Sequence, residues 1–475
     1  MKKIIFYFSL ISIFQTSLSQ TFQGFYPAGN PIGIEFGSNV AVSNNDVLVS
    51  NISMLQNFIG KVYHFELTPS GPQQTDILYP SDTISTDNFG SSIAIQDDFI
   101  AIGSPFHDAN FTDSGATYIY KKTNGVWAQF QKITAQDASE SDNFGSFVKL
   151  YNNQLFISAT GDEPAGAAGT ENSGSVYVYK YNGSSWVYSE KIVQANTFSF
   201  GSKIEIENNT LVIASIVQNN PENYILHTYT WNNVNWVFTN LLNLTNQQTD
   251  INDFAISNQQ LYLLEHPSLS MSGDVFIYSQ ANTVWNEVNS LNIQSNQTEQ
   301  PLDKIYVFND KLFIGTQNLF LMPLRFHLIY FKNISGNWAY QNTYSGNGSG
   351  YCDDFFGNSL GFNGSTLIVG AKGENTIFNN AGMAYYTDIA NLATTDFEKK
   401  SITVYPNPTT EKVSISNNFM MPIEKIEVYS TSGKLIISEN KNLEQVDFTK
   451  FANAIYFMKI HFNDATNQVI KIVKI

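Results

Sequence analysis

One phrase is written repeatedly in this chain, and the repetition limits what it can fold into. TDNFGSSIAIQDDFIAIGSP occupies residues 86–105, and SDNFGSFVKLYNNQLFISATG occupies 141–161. Phe-Gly followed by alternating apolar residues recurs at Phe36-Gly37, Phe89-Gly90, Phe144-Gly145, Phe200-Gly201 and Phe356-Gly357. Two weaker copies, DFAISNQQLYLLEHP from Asp253 and DKIYVFNDKLFIGTQ from Asp303, fill the long gap, so that seven starts follow one another at about fifty to fifty-six residues. Each copy has the same internal order. An alternating stretch ends in an Asn or Gly turn, and a second apolar stretch such as LFISA or LIVGA follows. A variable loop leads to a third stretch such as GATYIY or GSVYVY. The fourth carries a tryptophan in five copies, Trp127, Trp186, Trp236, Trp285 and Trp338. Period-two alternation of Val, Ile, Tyr and Phe between turn residues describes short antiparallel strands. Four such strands per repeat at this period describe a propeller blade.

The expected fold is therefore all-β: a seven-bladed β-propeller over residues 21–390, then a small antiparallel β-sandwich over 401–475. The seventh copy stops at GMAYYTDI, short of a fourth strand, while TFQGFYPAGN precedes the first copy without a blade of its own. Residues 22–26 are expected to complete the seventh blade, which removes two open sheet edges. The motif Phe and Gly are expected to serve structure, the aromatic as a wedge between blades and the Gly for close backbone approach. The preceding Asp87, Asp142 and Asp354 are expected to close Asx-type turns.

The N-terminus has a different grammar. Lys2 and Lys3, an apolar run over residues 4–14 and a polar stretch ending SLSQ match a secretory signal peptide over 1–20. That run is too short to be a transmembrane anchor, and no other stretch approaches one. Cys352 is the only cysteine, which excludes an intramolecular disulfide; a buried or incidental thiol is expected there. Residues 21–390 hold 13 Lys and Arg against 32 Asp and Glu, a net of −19, whereas 401–475 hold 8 against 7. So acidic a body repels nucleic acid and anionic lipid.

The blade phrases DNFGSSIAI, IAIGSP and DSGATYIY, with their counterparts in blades three and seven, resemble the FG-GAP repeat of integrin α-subunit propellers and many exported bacterial proteins. The resemblance implies the fold and not any one activity. From Ile402 the stretches YPNPTTEKVSI, VYSTSGKLI, ANAIYFMKI and the basic end KIVKI are similar to the C-terminal sorting domain of the type IX secretion system. Pro406, Asn407, Pro408, Gly433 and Tyr456 carry that match, and Ala454 stands where members of the family usually have Gly. This resemblance implies export of a Gram-negative bacterial protein across the outer membrane, with the type IX machinery as a partner. The body is then secreted or attached to the cell surface, with residues 391–400 as the linker.

Chemistry in the body is sparse at the level of sequence. The six histidines show no metal-ligand spacing, and no GxSxG or phosphate-binding loop appears. The loops between second and third strands offer oxygen ligands for calcium: Asp108, Asn110 and Asp113 in one, Asp162, Glu163 and Glu171 in the next. Solvated turns are the competing reading of the same residues. Three functions stay open: a binding or adhesion module for an extracellular glycan or protein, a glycan-active hydrolase or lyase working through paired carboxylates, and a structural surface component.

Overall fold

In the computed structural model, the described residues are 22–28, 35–52, 59–82, 86–164, 172–217, 220–242, 250–266, 273–281, 283–293, 302–316, 327–345, 355–373, 381–389, 402–417, 423–431, 433–441, 443–462 and 467–475. The expected signal peptide over 1–20 and linker over 391–400, with Cys352, Asp354 and Glu171, lie outside them. The chain divides into two compact units, Met1–Leu392 and Ala393–Ile475.

The first unit is a β-propeller. Seven four-stranded sheets are described in it. Blades one to six span residues 36–78, 92–133, 144–193, 204–242, 250–293 and 302–345, with strands hydrogen-bonded in sequence order. Blade seven takes three strands from residues 356–388 and its fourth, Gln23–Phe25, from the N-terminal end, which pairs antiparallel with Met383–Asp388. First strands of successive blades are neighbours all the way round, including the seventh and the first.

The core is not central but divided among the blade interfaces. Seven apolar clusters each join one blade to the next, the last joining blades seven and one through Phe36, Val49, Ile368 and Ala384. Alternation sends the two sides of the inner strands to the two neighbouring sheets, so second strands such as Asp46–Asn51 and Gln154–Ala159 are buried on both faces, whereas fourth strands such as Val284–Ile293 stay largely exposed. The motif aromatics Phe36, Phe89, Phe144, Phe200 and Phe356 are all buried in these clusters. Each tryptophan of a fourth strand packs back on the preceding blade. Trp186 meets Phe99 at 5.2 Å, Trp236 donates to Gln154 at 3.0 Å, and Trp285 donates to Thr228 at 3.0 Å.

Blades five and six carry no Phe-Gly, and the pairing explains why they do not need it. In blade three Phe144 pairs with Ala159 and Val148 with Ile157, so four residues oppose two across a bulge. Gly145 turns that bulge at φ +98°, a region that favours glycine. In blades five and six the step is shorter, from Ile251 to Asp253 and from Leu302 to Lys304. Ile251 and Leu302 fill the aromatic's place and are buried. The motif position thus lies before the two weak copies recognised from sequence.

The second unit packs a three-stranded sheet (Ile402–Tyr405, Lys412–Asn417, Gln445–Asp447) with a four-stranded one in the order Leu435–Glu439, Ile423–Ser430, Ala454–Phe462, Asn467–Lys474. Val413, Ile426, Val428, Phe448, Met458 and Ile460 form its core.

Candidate functional site

The loops singled out for calcium are held by the protein's own groups. Asp113 lies at φ +51° and donates its N–H to Asp108 Oδ1 at 2.9 Å. Partial burial, with the charges of Asp108, Asp87 and Glu140 behind it, raises the Asp113 carboxyl above its ordinary range. Asn110 is exposed on the same loop. In the next blade Asp162 is buried, accepts a hydrogen bond from Ser175 and pairs with Lys191 at 2.8 Å, while Glu163 is exposed. Among the described residues no group of three or more His, Cys, Asp or Glu side chains is arranged to hold a metal ion.

What the sequence concealed is a polar cluster repeated in blades two and three. Tyr118 and Lys132 both bond Asp82, at 2.7 Å each, while Lys132 also meets His107 Nε2 at 2.7 Å and His107 Nδ1 meets Asp87 at 2.5 Å. One blade on, Tyr177 and Lys191 bond Asp137 at 2.7 Å each, and Lys191 reaches Asp162 where the earlier blade has His107. Burial alone would raise Asp137, but the hydrogen bonds from Lys191 and Tyr177 outweigh it and hold the carboxyl low. Burial raises Asp142, which accepts the Ser139 N–H at 2.5 Å. Asp87 thus faces a histidine, and Asp142 accepts from a backbone N–H three residues upstream.

Blade four has lost this cluster. His227 stands in register where Tyr118 and Tyr177 stand, and Leu241 takes the lysine's place. The His227 ring is buried, bonds Ser215 at 2.8 Å and has its pKa lowered by burial to about 4. The unfolded chain takes up that proton near pH 6.5 and the folded chain only near 4, so stability should fall as pH drops through this window. The expected loss is about 3 kcal/mol in full. Urea midpoints at several pH values would be less pH-dependent in His227→Gln; identical pH slopes would contradict the assignment.

Two further features face solvent. The ring encloses a channel of about 480 Å³ lined by the first strands of all seven blades. On one arc are Val40, Val42, Ile93, Ile95 and Leu360; on the other are charges that pair across blades. Lys149 meets Glu205 at 2.9 Å, Lys203 meets Asp253 at 2.6 Å, and Asp253 also accepts the Ile305 N–H at 2.9 Å. These carboxylates are engaged by cations of the neighbouring blade, so the arc serves as an interblade lock.

The second is a crown of turns joining first to second strands. In blades one, three, four and five the residue before the turn reaches the turn of the following blade. Ser43 accepts from Asp97 N–H at 3.3 Å, Tyr151 from Asn208 at 2.6 Å, and Ser257 from Asn309 at 3.2 Å. Glu207 accepts from both Asn258 and Gln259, at 3.0 and 2.6 Å. Between blades six and seven the slot is filled by Phe308 against Phe362 at 5.2 Å. Two grooves open between these turns. The larger, about 610 Å³, is lined by Tyr151, Asn152, Glu207, Asn208, Asn209, Thr210, Gln259 and Gln280. The smaller, about 230 Å³, is lined by Gln96, Asp97, Asp98, Phe99, Leu150, Asn152, Asn153 and Trp186. Both include Asn152, so they adjoin across blades two to five. The sequence signal was a polar residue standing before an Asn or Asp turn in successive copies.

The C-terminal motif residues are also placed. Asn407 donates to Lys471 O at 2.7 Å and accepts from Val473 N–H at 2.9 Å. Gly433 turns at φ +79° between two strands, and Pro406 and Pro408 flank Asn407. Tyr456 is buried between Phe448 and Phe451 and donates to Ala452 O at 3.0 Å.

Comparison with known proteins gives two family matches. The FG-GAP repeat matches residues 72–120 and 127–179, and the secretion system C-terminal sorting domain matches 403–475. The chain thus contains FG-GAP repeats and a type IX sorting domain, and it is exported to the cell surface or the extracellular space. A search of curated proteins gave no match. Among solved structures, a putative 6-phosphogluconolactonase from Bacteroides uniformis is similar at 10% identity and a TM-score of 0.46, over 69% of this chain and 90% of that one. Among the described residues no helix is long and apolar enough to cross a membrane.

Proposed function

We propose that the exported propeller is a binding module for an uncharged extracellular glycan, held on the crown face across blades three to five. The observation that carries this reading is the chemistry of the larger groove. Five of its eight lining residues bear neutral amides. Its one carboxylate, Glu207, is engaged by two backbone N–H groups. On a body of net charge −19 over residues 21–390, a groove so nearly free of unengaged charge suits a ligand rich in hydroxyls. Amides supply both donors and acceptors to such a ligand, and the volume falls within the range of small-ligand sites.

The test is retention of neutral, uronate and sulfated oligosaccharides by the full exported chain, with product length followed in the same samples. Neutral chains should be retained at unchanged length. Asn152→Asp with Asn209→Asp, which keeps shape and adds charge, should weaken retention at least tenfold with the urea midpoint unmoved. Preference for charged chains, or no retention at all, would overturn the reading. Shortened products would make the protein an enzyme.

A further inference from the structure

The outer face of the tail's four-stranded sheet is apolar at one end, around Tyr429, Leu435, Ile455 and Phe457, and charged at the other. Alternation puts Tyr456, Met458 and Ile460 into the core and turns Ile455 and Phe457 outward. The register extends this outward set over the whole sheet. Phe457 pairs with Tyr429 on one side and Lys471 on the other, Tyr429 pairs with Leu435, Ile455 with Val473, and Lys459 with Val469. Leu435, Phe457 and Val469 are 46%, 39% and 56% exposed. Lysines 425, 459 and 471 share the face with His461 and the buried Glu427, which meets Lys425 at 2.6 Å and His461 at 2.9 Å. An apolar patch rimmed by charge on so small a domain is the composition of a docking surface.

A second observation narrows how the last strand is read. Its outer edge is already taken by residues 407–409. Besides the two Asn407 bonds, Thr409 N–H donates to Val473 O at 2.8 Å and Ile475 N–H donates to Thr409 O at 2.9 Å. A partner cannot add a strand there without displacing this segment. What the C-terminal strand leaves open is its side-chain face: Val469, Lys471 and Val473.

We infer that this face is the surface by which the sorting domain docks on a component of the type IX secretion machinery, one presenting an apolar patch bordered by carboxylates. The inference rests on the sorting-domain match over 403–475, which makes that machinery the reader of this domain. It is independent of any glycan reading of the body.

The test follows the full chain in its own bacterium, comparing the amounts in the periplasm and outside the cell. Phe457→Asp with Val469→Asp should lower the external fraction at least tenfold and leave folded protein in the periplasm. Lys459→Glu with Lys471→Glu alters only outward, flexible side chains, so it tests the charged rim with little risk to folding, and it should lower export at least threefold. Urea midpoints of the purified variants separate docking from unfolding. Normal export of the lysine variant together with normal export of the apolar variant overturns the inference. So does unchanged export accompanied by altered sedimentation or altered proteolysis, which would mean that a second copy or the propeller covers this face.

Discussion

Phe22→Ala with Phe25→Ala should destabilise the propeller by about 4 kcal/mol or more, and the protein should aggregate on storage. Phe22 packs edge-on against Tyr344 at 5.2 Å and Phe356 at 5.4 Å, which lie in blades six and seven. Phe25 packs against Phe65 at 5.0 Å and Phe36 at 6.3 Å in blade one, and against Tyr386 at 6.1 Å in blade seven. The strand Gln23–Phe25 and the residue just before it therefore fill both interfaces of the seventh blade. Truncating a buried Phe costs about 3–5 kcal/mol, and two on one strand are not fully additive. Against a usual stability of about 5–15 kcal/mol this is a large fraction. Losing the strand also bares the edge of Met383–Asp388, which invites pairing with another chain. Tyr26→Ala is the control, because that ring is half exposed at the end of the same strand. An unmoved urea midpoint in the double variant would mean that the ring is not held shut here.

The sequence made this closure legible because the deficit and the surplus are both visible in it. The seventh copy lacks a fourth strand, and the first copy is preceded by one without a blade. The tryptophans were legible for a related reason: a large side chain recurring at one strand position has one recurring neighbour. The charged partners were not. A count of acids in the second-to-third-strand loops shows Asp162, but nothing local shows that Lys191, 29 residues on along the chain, returns to it across a hairpin. The ammonium bridges Asp137 and Asp162 at 2.7 and 2.8 Å, and only the register of the fourth strand brings it there. Ile251 and Leu302 escaped for the opposite reason. Once the bulge shortens, neither Phe nor Gly is required, and the motif dissolves while the interface persists. Interblade bonds such as Glu207 to Asn258 join residues a full repeat apart, and polar residues beside turns have local explanations that hide such a role.

Three glycine variants separate the two physical reasons for the motif glycine, and Gly145→Ala should be the worst of them. A Cβ on Gly145 would stand 2.5 Å from the Ala116 carbonyl oxygen, with the backbone at φ +98°. Gly125 shares the unfavourable backbone, at φ +81°, but nothing lies within 4 Å of its Cβ position. Gly125→Ala should thus report backbone strain alone, about 1–2 kcal/mol. Gly103 is the converse. No left-handed φ is required there, yet a Cβ would lie 1.9 Å from the Gly145 carbonyl oxygen. Because that neighbour is backbone and cannot rotate away, Gly103→Ala should cost at least the upper part of the usual overpacking range of about 1–3 kcal/mol. Gly145→Ala combines both penalties and should cost about 3 kcal/mol or more. Gly103 and Gly145 come from adjacent blades and approach each other's backbone, so their penalties should not add in the double variant: once one Cβ has forced the blades apart, the second finds room. Urea midpoints of the three single variants and the Gly103→Ala, Gly145→Ala pair give the cycle. Strict additivity would show that each glycine serves only its own blade. A shortfall of 1 kcal/mol or more, of the size typical for coupled neighbours, would show that the repeated Phe-Gly is a device for bringing one blade's backbone against the next.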